Sequence, residues 1–269
     1  MFPLLFNIPI LGGIPIYTYG VLVALGFMAG ISWSVHEAKI AGVNPNRVLD
    51  LAFYIILSAL VGSRVLYIMT EWQRYLSQPL DVFKIWEGGL IFYGGLIGAL
   101  LVSYFYMKRH KMPFLRTADF FMPGVALGHT IGRLGCFMAG CCYGGRAPEG
   151  SPWGVVFPSN PFSLAPAGVT LYPSQLFESA ASLLIFFILV LMRRKGRYQP
   201  QNGQIFLAYL ILYSVTRSLL EIFRGGGSRN FVIDGWLSVS QLISVGLILM
   251  ALIIYSRFRR QTETGGRRP

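Results

Sequence analysis

Apolar stretches recur along the whole chain, each of about 20 residues and so long enough to cross roughly 30 Å of hydrocarbon as a helix. They can be drawn at 17–37, 47–70, 89–107, 117–140, 174–192, 203–224 and 236–256. That recurrence leaves little room for a soluble domain. The expected fold is an all-α polytopic membrane protein of about seven transmembrane helices, forming a single transmembrane domain over residues 1–269. Composition agrees, because only 13% of residues are charged, about half the fraction in a soluble domain.

A formal net charge of +12 is common among nucleic-acid binders, but its placement points elsewhere. The basic residues form short blocks between apolar spans, and no basic stripe with interleaved aromatics appears, so no nucleic-acid partner is expected. Lys39 and Arg47 flank the first connection, and Lys108, Arg109, Lys111 and Arg116 fill the third. Arg193, Arg194, Lys195 and Arg197 fill the fifth, and Arg257, Arg259, Arg260, Arg267 and Arg268 follow the last span. The alternate loops, 71–88, 141–173 and 225–235, are mixed or nearly neutral. Every basic block thus lies on one side, which the positive-inside rule makes the cytoplasm. An odd number of spans then puts the N-terminus outside and the C-terminus in the cytoplasm. The N-terminus lacks a basic n-region and a small-residue cleavage site, so no removable signal peptide is expected.

The longest connection, 141–173, is rich in Gly, Pro and Ser, and Val155-Val156-Phe157 within it reads as a short strand. A small external cap is the expectation. No domain-length repeat is visible, and the Gly-Gly-Leu-Ile doublet at 88–91 and 94–97 fits close helix packing as well as it fits a functional role.

Ionisable residues inside spans are costly and are functional candidates by default. Here they are Arg64, His129, Arg133, Glu178, Arg217, Glu221 and, near a span end, Arg224. At about 1.5 Å rise per residue, Arg64, Arg133 and Arg217 sit in the outer half of the bilayer. Tyr19, Tyr93 and Glu178 fall near the outer ends of inward-running spans, so polar residues from six helices share one level. Arg217 and Glu221 form an i,i+4 pair. Buried ionic glue between helices accounts for any one such residue, yet the arginines outnumber Glu178 and Glu221. Unbalanced guanidiniums call for an anionic ligand, and at this level the available phosphate belongs to a phospholipid headgroup. His129, one turn before Arg133, has three roles open to it: packing, orienting that arginine, or acting as a base. Tyr19 and Tyr213 are candidates to hydrogen-bond a headgroup.

Cys136, Cys141 and Cys142 do not carry a zinc-site spacing: the paired CxxC is missing and no histidine follows at ligand distance. Facing an oxidising compartment they could form a disulfide, but small apolar filler is the simpler reading. No metal and no cofactor is expected.

These residues resemble those of the prolipoprotein diacylglyceryl transferase family over nearly the whole chain. The matching stretches are Ile14-Pro15-Ile16-Tyr17-Thr18-Tyr19-Gly20, Gly62-Ser63-Arg64, Trp86-Glu87-Gly88-Gly89 and Gly94-Gly95-Leu96-Ile97-Gly98. The family signature reads here Gly132-Arg133-Leu134-Gly135-Cys136-Phe137-Met138-Ala139-Gly140. Tyr172-Pro173-Ser174-Gln175-Leu176-Phe177-Glu178 and Tyr213-x3-Arg217-x3-Glu221-x2-Arg224 complete the pattern.

The resemblance implies a bacterial inner-membrane enzyme, multi-pass, with phosphatidylglycerol and the lipobox cysteine of a preprolipoprotein signal peptide as its partners. The diacylglyceryl group would move to the thiol and glycerol phosphate would leave. By the same carry-over Arg133, Arg217 and Tyr93 are the catalytic candidates. Tyr19, Arg64, Gly94, Gly95, His129, Cys136, Glu178, Tyr213, Glu221 and Arg224 are the candidates for substrate binding. The sequence also departs from the family. Tyr93 stands where a histidine proposed as the base is frequent, Cys136 and Ala139 replace two asparagines, and Cys141 replaces a glutamate. A tyrosine, with an ordinary pKa of about 10, is a poor base without a neighbouring arginine. The competing readings are an anionic-solute transporter, which would place its charges near the midplane between repeats, and a non-catalytic lipid-binding paralogue.

Overall fold

A long helix occupies each apolar stretch in the computed structural model, which describes residues 2–8, 14–84, 88–194, 203–224, 231–233 and 237–265. Trp86, Glu87, Lys195, Arg197, Arg267 and Arg268, used in the sequence argument, lie outside the described residues. A hairpin of β1 (Leu4–Ile8) and β2 (Ile14–Tyr17) leads into α1 (Thr18–Ile40). Then come α2 (Pro45–Thr70), the short α3 (Trp72–Ser77), a 3-10 turn at Pro79–Phe83, α4 (Phe92–Arg109) and α5 (Phe114–Ala139). The connection that follows contains the antiparallel pair β3 (Val155–Val156) and β4 (Thr170–Leu171). After it run α6 (Ser174–Arg194), α7 (Gln204–Leu220) with a 3-10 end at Glu221–Phe223, the pair β5 (Phe231–Ile233) and β6 (Leu237–Ser238), and α8 (Val239–Gly265).

Five of these helices, α1, α2, α6, α7 with its 3-10 end, and α8, are long and apolar enough to cross a membrane, so the chain is a multi-pass membrane protein. In α5 the apolar run is broken by Arg116, Asp119, His129 and Arg133 and diluted by Gly124, Gly128, Gly132 and Gly135. Its polarity is what the functional residues require.

The chain forms two compact units, Met1–Ser34 with Ala118–Pro269, and Val35–Thr117. In the first unit, Gly26 and Gly30 of α1 meet Gly128 and Gly124 of α5. A Cβ at Gly26 would lie 2.8 Å from the Gly128 carbonyl oxygen, and one at Gly30 would lie 2.7 Å from that of Gly124. Two small-x3-small stripes therefore bring the helix backbones into contact, the membrane equivalent of a packed core. Ile185, Phe186, Leu189 and Val190 of α6 pack with Ala126 and Ile205 beside them. Asp119, fully buried in α5, accepts from the backbone N–H groups of Gly203 (3.0 Å) and Phe206 (2.8 Å). It thus supplies from a neighbouring helix the anionic cap that α7 lacks in its own sequence.

In the second unit, Gly62 of α2 faces Gly94 and Gly98 of α4, and Gly95 lies against Ala59. Gly94 and Gly95, candidates for substrate binding by sequence, are buried here in the α2–α4 contact. Their lack of side chains is used for helix approach.

Candidate functional site

The first unit gathers the ionisable residues of α5, α6 and α7 around a narrow cleft lined by His129, Glu178, Ala181, Ser182, Tyr213, Thr216, Arg217 and Leu220. Helical spacing sets the chemistry along each wall. His129 and Arg133 are one turn apart on α5, and Arg133 Nε donates to His129 Nε2 at 3.1 Å. Arginine has no lone pair to offer, so His129 Nε2 must be the bare nitrogen and Nδ1 carries the proton. Nδ1 faces Ser182 Oγ at 3.3 Å, which fixes the neutral tautomer between two partners. The histidine's lone pair is committed to Arg133.

Glu178, buried on α6, lies 2.5 Å from Arg133 Nη2 through Oε2, in a close ion pair that is poorly directed as a hydrogen bond. Its other oxygen is 3.7 Å from Arg224 Nη2. Arg217 Nη1 pairs with Glu221 Oε2 at 2.6 Å across one helical turn, and Ser238 and Ser240 also bond that carboxylate. Among the described residues, three guanidiniums thus share two carboxylates, leaving one positive charge of the cluster uncompensated. Tyr213 closes one side, with its ring centroid 5.5 Å from that of His129 and stacked on Tyr209 at 5.7 Å. This half of the candidate site is brought together as the helix spacing implied.

Arg64, in the second unit, is different. Nε donates to the Val82 carbonyl (3.1 Å), Nη1 to Gly88 (2.6 Å) and Gly89 (3.4 Å), and Nη2 to Asp81 (2.7 Å) and Lys84 (3.1 Å). All five N–H donors of the guanidinium are spent on backbone carbonyls, and none is left for a phosphate. The loop can wrap so tightly because Gly88 and Gly89 take positive φ (+86° and +72°). Tyr93, in the same unit, is exposed at the start of α4 with its ring against Phe92, and its hydroxyl has no hydrogen-bond partner among the described residues.

The cysteines are more organised than their spacing indicated. Gly140 N–H bonds the Phe137 carbonyl (3.2 Å) and Cys141 N–H bonds that of Cys136 (3.1 Å), with Gly140 at φ +70°. This is the Schellman ending of a helix, which brings the side chains of Cys136 and Cys141 to one spot. Cys142 adopts φ +59° and turns its thiol back onto them, so that all three sulfurs lie within 4.8 Å of one another. Hydrogen bonds shared among the thiols draw Cys142 below its ordinary range and push Cys141 above it, with Arg133 and Arg224 adding to the effect on Cys142. Tyr19, half exposed, interacts electrostatically with the three cysteines and with Arg133.

Two supporting residues were not singled out from the sequence. Buried Gln175 donates through Nε2 to the Cys141 carbonyl (2.7 Å), and buried Ser174 donates to that of Cys142 (2.8 Å). The Pro-Ser-Gln stretch that opens α6 therefore pins the cysteine turn. Its place in the matching stretch that ends at Glu178 was the signal available.

The family model for prolipoprotein diacylglyceryl transferase matches residues 3–257. A phosphatidylglycerol–prolipoprotein diacylglyceryl transferase of Clostridium tetani is 34% identical over 263 residues, covering 97% of this chain and all of the relative. A second such transferase, from Clostridium perfringens, is 33% identical over 255 residues, 94% of this chain and 96% of its own. One from Finegoldia magna is 34% identical over 249 residues, 93% and 94% respectively.

Proposed function

The chain belongs to the prolipoprotein diacylglyceryl transferase family, and from that premise we propose that it moves the diacylglyceryl group of phosphatidylglycerol to a prolipoprotein's lipobox cysteine. The observation that carries this reading is the cluster of three arginines sharing two buried carboxylates beside a cleft. Its surplus positive charge suits the headgroup phosphate of one substrate, and the apolar helices around it suit the acyl chains.

In the reaction, the acceptor thiolate attacks the glyceryl carbon that bears the phosphate. The carbon–oxygen bond breaks, and glycerol phosphate leaves with the electron pair. Arg133, steered by His129 and Glu178, holds the phosphate as its charge grows. Arg217, balanced by Glu221, takes the second oxygen or guards the entry. Tyr213 and Tyr19 line the lipid's path.

The accompanying topology is seven spans in the bacterial inner membrane, with the N-terminus outside, the C-terminus in the cytoplasm and segment 141–173 as an external cap. The basic blocks support that orientation. Purified protein, phosphatidylglycerol and a synthetic lipobox peptide test the activity through release of glycerol phosphate. Release should require the peptide's cysteine and fail with a serine peptide or with Arg133→Ala. Lipid binding without release would sink the transferase reading in favour of a binding paralogue.

A further inference from the structure

Three thiols gathered at one spot are an unusual way to end a membrane helix. A disulfide uses two sulfurs and strands the third, whereas a tetrahedral metal takes all three. The sulfurs of Cys136, Cys141 and Cys142 already lie within 4.8 Å of one another. Around a zinc ion with Zn–S of about 2.3 Å, tetrahedral sulfurs stand about 3.8 Å apart, so each needs to move by less than about 1 Å. The backbone that presents them is held by three hydrogen bonds: one ties Cys141 to Cys136 at the helix end, and Gln175 and Ser174 clamp the carbonyls of Cys141 and Cys142. Cys136 and Cys141 are partly buried, while Cys142 is exposed, so the cluster opens on one side.

We propose that Cys136, Cys141 and Cys142 form a three-thiolate zinc site whose open fourth position receives the acceptor's cysteine thiol. The proposal rests on the transferase reading for the identity of that thiol. Three thiolates and one zinc ion carry a net charge of minus one, and a fourth thiolate makes it minus two. Arg133 and Arg224 act electrostatically on Cys142 and offset part of that charge. A thiol that coordinates zinc gives its proton to solvent and stays nucleophilic. Its sulfur then bonds the glyceryl carbon as the carbon–oxygen bond to phosphate breaks, and the neutral thioether is a weak ligand that departs. Zinc is redox-inert and no oxidant or reductant enters.

The test uses the full-length protein purified in detergent without chelator, and its readouts are independent of turnover. Elemental analysis should find about one zinc per chain, retained through dialysis and lost from each of Cys136→Ser, Cys141→Ser and Cys142→Ser. Wild-type protein loaded with cobalt in place of zinc should show a thiolate-to-cobalt charge-transfer band. Adding a lipobox peptide should shift that band, and the serine version of the peptide should leave it unchanged. No retained zinc in the wild-type protein, or zinc that persists when all three cysteines are serine, overturns the site. Retained metal with a spectrum indifferent to the cysteine peptide overturns the role given to the fourth position. Failure of glycerol phosphate release with both metal readouts positive would count against the transferase reading alone.

Discussion

Arg64 and Arg133 look alike in the sequence: each follows a glycine-containing step inside an apolar stretch, and each is mostly buried. Their surroundings separate them. Arg64 is clasped by five neutral carbonyls of its own loop, with Tyr67 and Tyr75 rings 5.7 Å from its guanidinium carbon. Arg133 is held by a histidine and a shared carboxylate, next to two further arginines and a cleft. The first has every donor satisfied in the folded chain. The second sits in a cluster with surplus charge. A buried arginine thus marks function by the kind of partner it lacks, and its depth alone does not tell staple from ligand.

The sharpest way to break this comparison is to remove both guanidiniums in turn. Arg133→Ala should lower glycerol phosphate release by about 100- to 1,000-fold, the cost of deleting a donor to developing charge, while folded protein is still recovered in detergent. Arg64→Met should do the reverse. It orphans up to five carbonyls at about 1–3 kcal/mol for each that stays dry, so yield of folded protein and thermal stability should collapse before turnover can be compared. A stable, folded Arg64→Met that has lost only turnover would overturn the division.

Glu178→Gln probes how the charge is shared. The isosteric amide keeps the packing but frees Arg133 and Arg224 from their anchor, so catalysis should drop by roughly 10- to 100-fold while phosphatidylglycerol still binds. Gly94→Ala asks a packing question instead. An added Cβ would run into the Gly62 carbonyl oxygen and Leu66, so the α2–α4 contact should weaken by about 1–3 kcal/mol, read as a lower unfolding temperature. If Gly94 served a headgroup, binding would fall with stability intact. His129→Gln is gentler still. Its amide can accept from Arg133 and reach toward Ser182, so a positioning role predicts a loss of under about tenfold and an unchanged pH profile.

Much of this was legible beforehand, because helices announce themselves by apolar length and by i,i+4 pairs. Arg217 with Glu221, and His129 with Arg133, follow from spacing on one helix, and the strand at Val155 was visible as a β-branched pair. What spacing could not show were bonds between distant segments. Asp119 capping α7 spans 84 residues, and Gln175 clamping Cys141 spans 34. The donor set that occupies Arg64 is backbone, which has no residue-type signature at all. For the cysteines, whose spacing lacks the paired CxxC, nothing in the sequence announced the cluster. A glycine-ended helix supplies a different geometry for gathering sulfur, with the third cysteine turned back by a left-handed backbone.

The smallest effect is expected at Tyr93, and it bears directly on where the acceptor thiol loses its proton. A phenol accepts that proton only if it is already phenolate, which needs a positive neighbour or strong hydrogen-bond donors. The Tyr93 hydroxyl has no hydrogen-bond partner among the described residues, and the residue is 57% exposed with its ring against Phe92. Tyr93→Phe should therefore keep release of glycerol phosphate within about threefold of the parent, because an exposed hydroxyl forfeits at most one modest hydrogen bond. Cys142→Ser, in the same assay, should lose far more. Were Tyr93→Phe to fall by about 100-fold, the scale of a lost general base, while zinc content stayed at the parent level, proton removal would belong to α4. The contrast drawn between a structural second unit and a catalytic first one would then fail at that residue.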